Sequence, residues 1–308
     1  MDEPDEKEKE KEKEKEKEKE KQTKQKNGRN ETKNPLKKRE ATMMKRTILA
    51  TIFMGLIFFS TDGHAAGPPP EKQTGYPGAA KDWTVRLGAL AMHRPVYQGS
   101  DDYKGYALPM IDISWRDTIF LNSFKGLGAY FLDSGRARLG ASIGWAFGRD
   151  ESDSNDLTGL GDIDPGATAN ALFEWKSKDL IINARYQRQI TGEETGFQVH
   201  TRLGYRFRLG KKTTLRPSVR TTFSSSEYME RHFSVSPAQS AGSGQPVYEA
   251  GAGLKSVGFQ MMAIRRAGQR WGVQVMGGYT LLIGDAADSP LVKNEGQFTF
   301  GAGLSYMF

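Results

Sequence analysis

The 308-residue sequence predicts an all-β fold, a transmembrane antiparallel β-barrel of about 12 strands and of the outer-membrane type. Three observations predict it. Residues 298–308 alternate strictly, with Phe298, Phe300, Ala302, Leu304, Tyr306 and Phe308 on one side and Thr299, Gly301, Gly303 and Ser305 on the other. An export signal precedes the β-rich part of the chain. The connections between alternating segments fall into a long class and a short class that take turns along the sequence. A soluble sandwich would leave the aromatic row of 298–308 on an open, aggregation-prone edge. A barrel pairs that edge with its first strand while lipid solvates the aromatics, which makes Phe308 the barrel-assembly C-terminus.

Residues 6–21 are a strict Glu/Lys alternation, and the run stays polar to residue 40. Charge this dense buries nothing, and like charges at i,i+4 oppose a helix, so 1–42 reads as a disordered low-complexity extension. Its place ahead of Met43 and Met44 points to a misassigned start. Residues 43–65 read as a secretory signal peptide: basic Lys45 and Arg46, an apolar run over 47–59, then the small residues Gly63, Ala65 and Ala66. That run is too short for a comfortable membrane helix. Residues 66–81, with Pro68, Pro69 and Pro70, form an irregular periplasmic lead-in.

The barrel itself spans 82–308. Period-two segments occupy 83–91, 108–115, 118–124, 127–132, 139–147, 167–175, 180–190, 197–209, 215–223, 248–265, 271–283 and 298–308. The segment 248–265 changes phase near Lys255 and Ser256, which predicts a β-bulge. Long connections at 94–106, 149–162, 224–246 and 284–295 all reach one rim. Tight turns at 116–117, 133–135, 176–179, 210–212 and 266–270 all reach the other. Outer-membrane barrels sort long external loops from short periplasmic turns in this way, and merging 118–132 into one strand would break the sorting.

The polar side of the strands carries Arg185, Arg202, Arg206, Arg208, Arg216 and Arg220. These are candidate lumen residues, either attracting anions or pairing with carboxylates to fill space. Catalytic signals are thin. Of the four histidines, His64 lies in the signal, and His200 has no Ser partner at a readable spacing, so it reads as a lumen hydrogen bonder. The acidic runs around Asp101, Asp150 to Asp156 and Asp285 lack the spacing of a calcium loop and read as solvated loops. With no cysteine in the chain, disulfides and thiolate metal sites are excluded, and no cofactor is expected. The formal charge of +7 is spread over extension, signal and barrel, and export argues against a nucleic-acid partner.

Two loops carry a family pattern. Pro95, Tyr97, Gly99, Asp101, Asp102 and Tyr103, followed by Leu108 and Pro109, resemble the first-loop signature of the MipA/OmpV family of outer-membrane proteins. Tyr279, Gly284, Asp285, Asp288, Ser289, Pro290 and Val292, ahead of the terminal strand, resemble its last-loop signature, and Gly251, Gly253 and Leu254 add to the match. Physically, Gly99 and Gly284 permit backbone angles other residues avoid, Pro109 and Pro290 stiffen strand starts, and the four aspartates are suited to capping turns. Both loops flank the first and last strands, so the residues read as a rim or closure structure before a ligand site. The resemblance implies a non-enzymatic protein in the outer membrane of a Gram-negative bacterium. It also implies a scaffold whose partners, besides lipid, are the lytic transglycosylase MltA and a bifunctional penicillin-binding protein. The residues themselves leave two alternatives, a small-solute, porin-like channel and a surface protein for adhesion or stress response.

Overall fold

A computed structural model describes residues 82–192 and 196–308. The extension 1–42, the signal segment 43–65 and the lead-in 66–81 lie outside the described residues. One sheet contains β1 (Trp83–Pro95), β2 (Tyr103–Trp115), β3 (Ile119–Asn122), β4 (Gly126–Asp133), β5 (Ala137–Ala146), β6 (Gly166–Ser177) and β7 (Leu180–Gln189). It continues through β8 (Phe197–Tyr205), β9 (Phe207–Leu209), β10 (Thr213–Ser224), β11 (Gly253–Ala267), β12 (Trp271–Leu282) and β13 (Gly296–Met307). Two helices, α1 (Ser226–Phe233) and α2 (Pro237–Ser243), lie between β10 and β11.

Every strand pairs antiparallel with its neighbours, and β1 also pairs with β13, from Arg86↔Met307 to His93↔Phe300. That last pairing closes the sheet into a barrel. Only Arg206 separates β8 from β9, and both pair with β10, so they form a single stave and the closed barrel has 12. The alternation puts Leu87, Ile143, Leu203, Val219, Phe259, Val275 and Leu304 on the exposed outer face, where an outer membrane supplies hydrocarbon. The opposite positions hold mostly glycine, serine and charged or amide side chains, with a buried apolar cluster of Phe120, Tyr130 and Leu172 among them.

The structure departs from the sequence pattern chiefly at its long connections, each time for a physical reason. β1 and β2 run on to Pro95 and Tyr103, shortening the connection to 96–102, because Arg94 and Lys104 face each other at inward positions of the ladder rather than ending the strands. β11 starts at Gly253, since Tyr248 bridges back to Val235 instead. The connection 224–246 is not structureless: Ser225 caps α1, and Ser236 with Gln239 forms a reciprocal capping box on α2, with Pro237 in its first turn. The bulge falls where the phase changes. Thr222 pairs with Ser256 and Phe223 with Leu254, leaving Lys255 as the extra residue.

Candidate functional site

The four long connections fold over the barrel mouth as one packed cap. Tyr97 from the first, Leu157 and Leu160 from the second, Val235 from the third and Leu291 from the last form one buried apolar cluster. A second cluster packs Tyr228, Met229 and Phe233 of α1 against Ala250, Leu282 and Ala286. Each fully buried large side chain contributes about 1.5–3 kcal/mol, so two such clusters amount to a small hydrophobic core perched on the rim.

Polar contacts lock the cap loop to loop. The Tyr97 hydroxyl donates to the Leu291 carbonyl at 3.1 Å, and Ser289 donates to the Phe233 carbonyl at 2.5 Å. The Gln239 amide donates to the Leu160 carbonyl at 2.7 Å. Gly99 occupies the left-handed region at φ 98°, and a Cβ there would stand 2.6 Å from Val292 Cγ2. Its carbonyl accepts from the amides of Lys293 and Asn294, and its own amide donates to Gln297 Oε1 at 3.1 Å. The first and last loops are therefore stitched together directly above the β1–β13 seam.

The remaining motif residues have separate places. The Tyr103 hydroxyl accepts from the Phe298 amide at 3.0 Å, and Asp285 accepts from the Gly251 amide at 2.8 Å. Gly284 takes φ 57° at the head of a short 3-10 turn, and its carbonyl accepts from the Asp288 amide. Asp101 and Asp102 are exposed, with the Asp102 amide donating to Ser100 Oγ. Pro290 is half-buried next to Leu291, while Pro109 lies in β2 facing Ala89, away from the cap.

Sequence reasoning missed the residue that ties the cap to the wall. The bulge turns Lys255 inward, where it is buried without a carboxylate. Its ammonium donates to Gln98 Oε1 at 2.7 Å and stands 4.6 Å from the Tyr228 ring centroid, a cation–π contact. Gln98 in turn donates to the Tyr228 hydroxyl at 2.9 Å. Beside them the His232 ring stacks on Tyr228 at 3.9 Å, with Nδ1 3.0 Å from the Tyr228 carbonyl oxygen. Burial pushes the Tyr228 hydroxyl up to about 12 and pulls His232 down to about 3. The phase change in the sequence marked the bulge, but nothing local identified its partners.

Below the cap, the candidate lumen arginines project inward by register. Arg202 lies opposite Asn183 and Arg220, and Arg185 opposite His200. Arg208 pairs with Asp179 at 3.2 Å, and Arg202 donates to Asn183 Oδ1 at 3.1 Å. Arg185, Arg202, Arg216 and Arg220 make no ion pair among the described residues. The buried lumen carboxylate Glu174 is held instead by Lys125, by Lys176 at 3.1 Å and by the Tyr130 hydroxyl, which donates to it at 2.5 Å. His200 meets Thr222 Oγ1 at 3.3 Å. A cavity of about 470 Å³ lies between cap and lumen, lined by Arg94, Arg149, Arg185, Tyr97, Gln98 and His232 among others.

Comparison with known proteins gives one family and several outer-membrane relatives. The family model described as MltA-interacting protein MipA covers residues 87–308. Outer membrane protein OmpV of Vibrio cholerae is 23% identical over 233 residues, 73% of this chain and 86% of that protein. An outer-membrane channel from Pseudomonas putida F1 aligns with 77% of this chain and 100% of its own, at 12% identity and a TM-score of 0.39. OmpT, an outer membrane protein of Vibrio cholerae, aligns with 74% of this chain and 98% of its own, at 9% identity and a TM-score of 0.32.

Proposed function

The chain belongs to the MipA family of outer-membrane barrels, and from that premise we propose that it is a non-enzymatic scaffold. Its short-turn rim holds murein-remodelling enzymes, a lytic transglycosylase of the MltA kind together with a bifunctional penicillin-binding protein. The cap carries this reading. Four loops knitted into two apolar clusters are an expensive way to build a pore and a natural way to build a plug, which leaves the opposite rim as the working surface. That rim is basic: Arg136, Lys178, Lys211 and Lys212 stand in its turns without ion pairs among the described residues. A partner presenting an acidic patch meets complementary charge there.

The test is cross-linking from the short turns in intact cell envelopes. Capture of a lytic transglycosylase is expected, weakened by roughly tenfold or more when Lys178, Lys211 and Lys212 are all changed to Glu. Unchanged capture by that variant would remove the turn rim from the reading. A second reading, a channel for small anions, is favoured by the four lumen arginines that lack ion pairs.

A further inference from the structure

The barrel wall is incomplete on one side. β3 and β4 form a hairpin too short to reach the long-loop rim. The β2–β3 ladder stops at Asp112↔Asn122, extended only by Ser123, whose amide donates to the Ile111 carbonyl and whose hydroxyl donates to the Pro109 carbonyl. The β4–β5 ladder stops at Leu127↔Ile143. Above the hairpin, Tyr103 to Leu108 of β2 pair with β1 alone, and Gly144 to Ala146 of β5 pair with β6 alone. No ladder joins β2 to β5 among the described residues. At 3.3 Å per residue, the free β2 edge runs for roughly 20 Å. Hydrocarbon does not satisfy free backbone groups on a strand edge, so this notch is a window rather than a wall.

Its frame is chemically distinct. Phe124 at the hairpin tip, Trp145 and Phe147 are 56%, 58% and 73% exposed and give the opening an apolar outer lip. Lys104 and Asp153, 3.7 Å apart, link β2 to the loop after β5 and bound the opening at the rim. Across the lumen, Arg185 donates to the Phe124 carbonyl at 3.0 Å, which places its guanidinium at the inner sill. The cavity beneath the cap reaches this window, because Trp145 and Phe147 line it although alternation sets Trp145 on the outward face of β5. Among the described residues its lining includes Arg94, Arg149 and Arg185 and no Asp or Glu. Arg149 Nε is buried with no hydrogen-bond partner. A chamber whose described lining is cationic, opening sideways between aromatics, has the chemistry of a site for an anionic amphiphile.

We propose that the cavity binds a single-chain anionic amphiphile, its acidic head among Arg94, Arg149 and Arg185 and its alkyl chain leaving through the window between β2 and β5. The head is desolvated against guanidinium groups that make no ion pair among the described residues, and the chain passes through the notch in contact with Trp145 and Phe147. Gly105, on that edge, has open space where a Cβ would stand, so bulk can be introduced there without a clash.

The test uses the mature protein in phosphatidylcholine nanodiscs, titrated with dodecanoate, dodecanol and inorganic phosphate. Dodecanoate is expected to bind at least about tenfold more tightly than either of the others, each of which keeps only half of the recognition. Arg149→Gln should cost about tenfold in dodecanoate affinity and Arg149→Lys less, while Gly105→Trp should weaken dodecanoate and leave phosphate unchanged. A shift in migration between unboiled and boiled samples establishes that each variant is a folded barrel. Equal binding of dodecanoate and dodecanol, or folded Arg149→Gln with unaltered affinity, would overturn the site. Dodecanoate binding that ignores Gly105→Trp would overturn the lateral route.

Discussion

Single residues decide how firmly the cap holds. Gly99 combines a left-handed backbone with a Val292 side chain that leaves no room for a Cβ. Gly99→Ala is therefore expected to destabilise the rim by about 1–3 kcal/mol, read as a lower temperature at which the unboiled band converts to the boiled one. An outcome within a degree of the parent would mean the loop relaxes freely. The importance of Gly99 was legible in the sequence, because glycine beside aspartates signals an unusual turn. Its partner was not, since Val292 lies far along the chain and no local pattern names it. Lys255 shows the same divide. The change of phase announced an extra residue, yet the cage of Gln98 and Tyr228 around its ammonium depends on two other loops.

Among the elements, α1 is the one whose order depends on pH. His232 is held neutral by burial in the cap, with its ring on Tyr228, while in an opened cap it would titrate near the ordinary value of about 6.5. The opened form thus binds more protons between about 6.5 and 3. Cap stability is complete above that window and falls as the pH drops through it, by at most about 1.4 kcal/mol per pH unit. Amide exchange in α1, corrected for intrinsic rates, should be more than about tenfold faster at pH 5 than at pH 7. His232→Gln should abolish the difference, and a pH dependence that survives it belongs to another group. The strands were readable because alternation is a local property. α1 and α2 were hidden inside a polar loop, although the capping serines and the Ser236/Gln239 pair were there to be found. The notch beside β3 was also in the sequence, as a pair of strands too short for their neighbours, but only the ladders show that nothing fills it.

For the whole molecule, the cap and the lumen set opposing expectations for transport. In planar bilayers the intact barrel is expected to conduct little, and deletion of 226–243 is expected to raise conductance several-fold with a preference for anions. Changing Arg202 and Arg206 to Gln should reduce that preference. Strong, anion-selective conductance from the intact protein would favour the channel reading over the scaffold. The sorting of connections by length made the closed barrel legible before any coordinate, because it depends on topology rather than on contacts. Which loops touch is a property of three dimensions, and so the cap was not. The seam between β1 and β13 joins the two ends of the described chain. Loop-closure entropy makes such a distant pairing the slowest to form, so the cylinder must be completed last, when β13 arrives. Gly99, Gln297 and the amides of Lys293 and Asn294 then act as a clasp fastened after closure, one that resists unzipping at the single joint where the ribbon has no covalent turn.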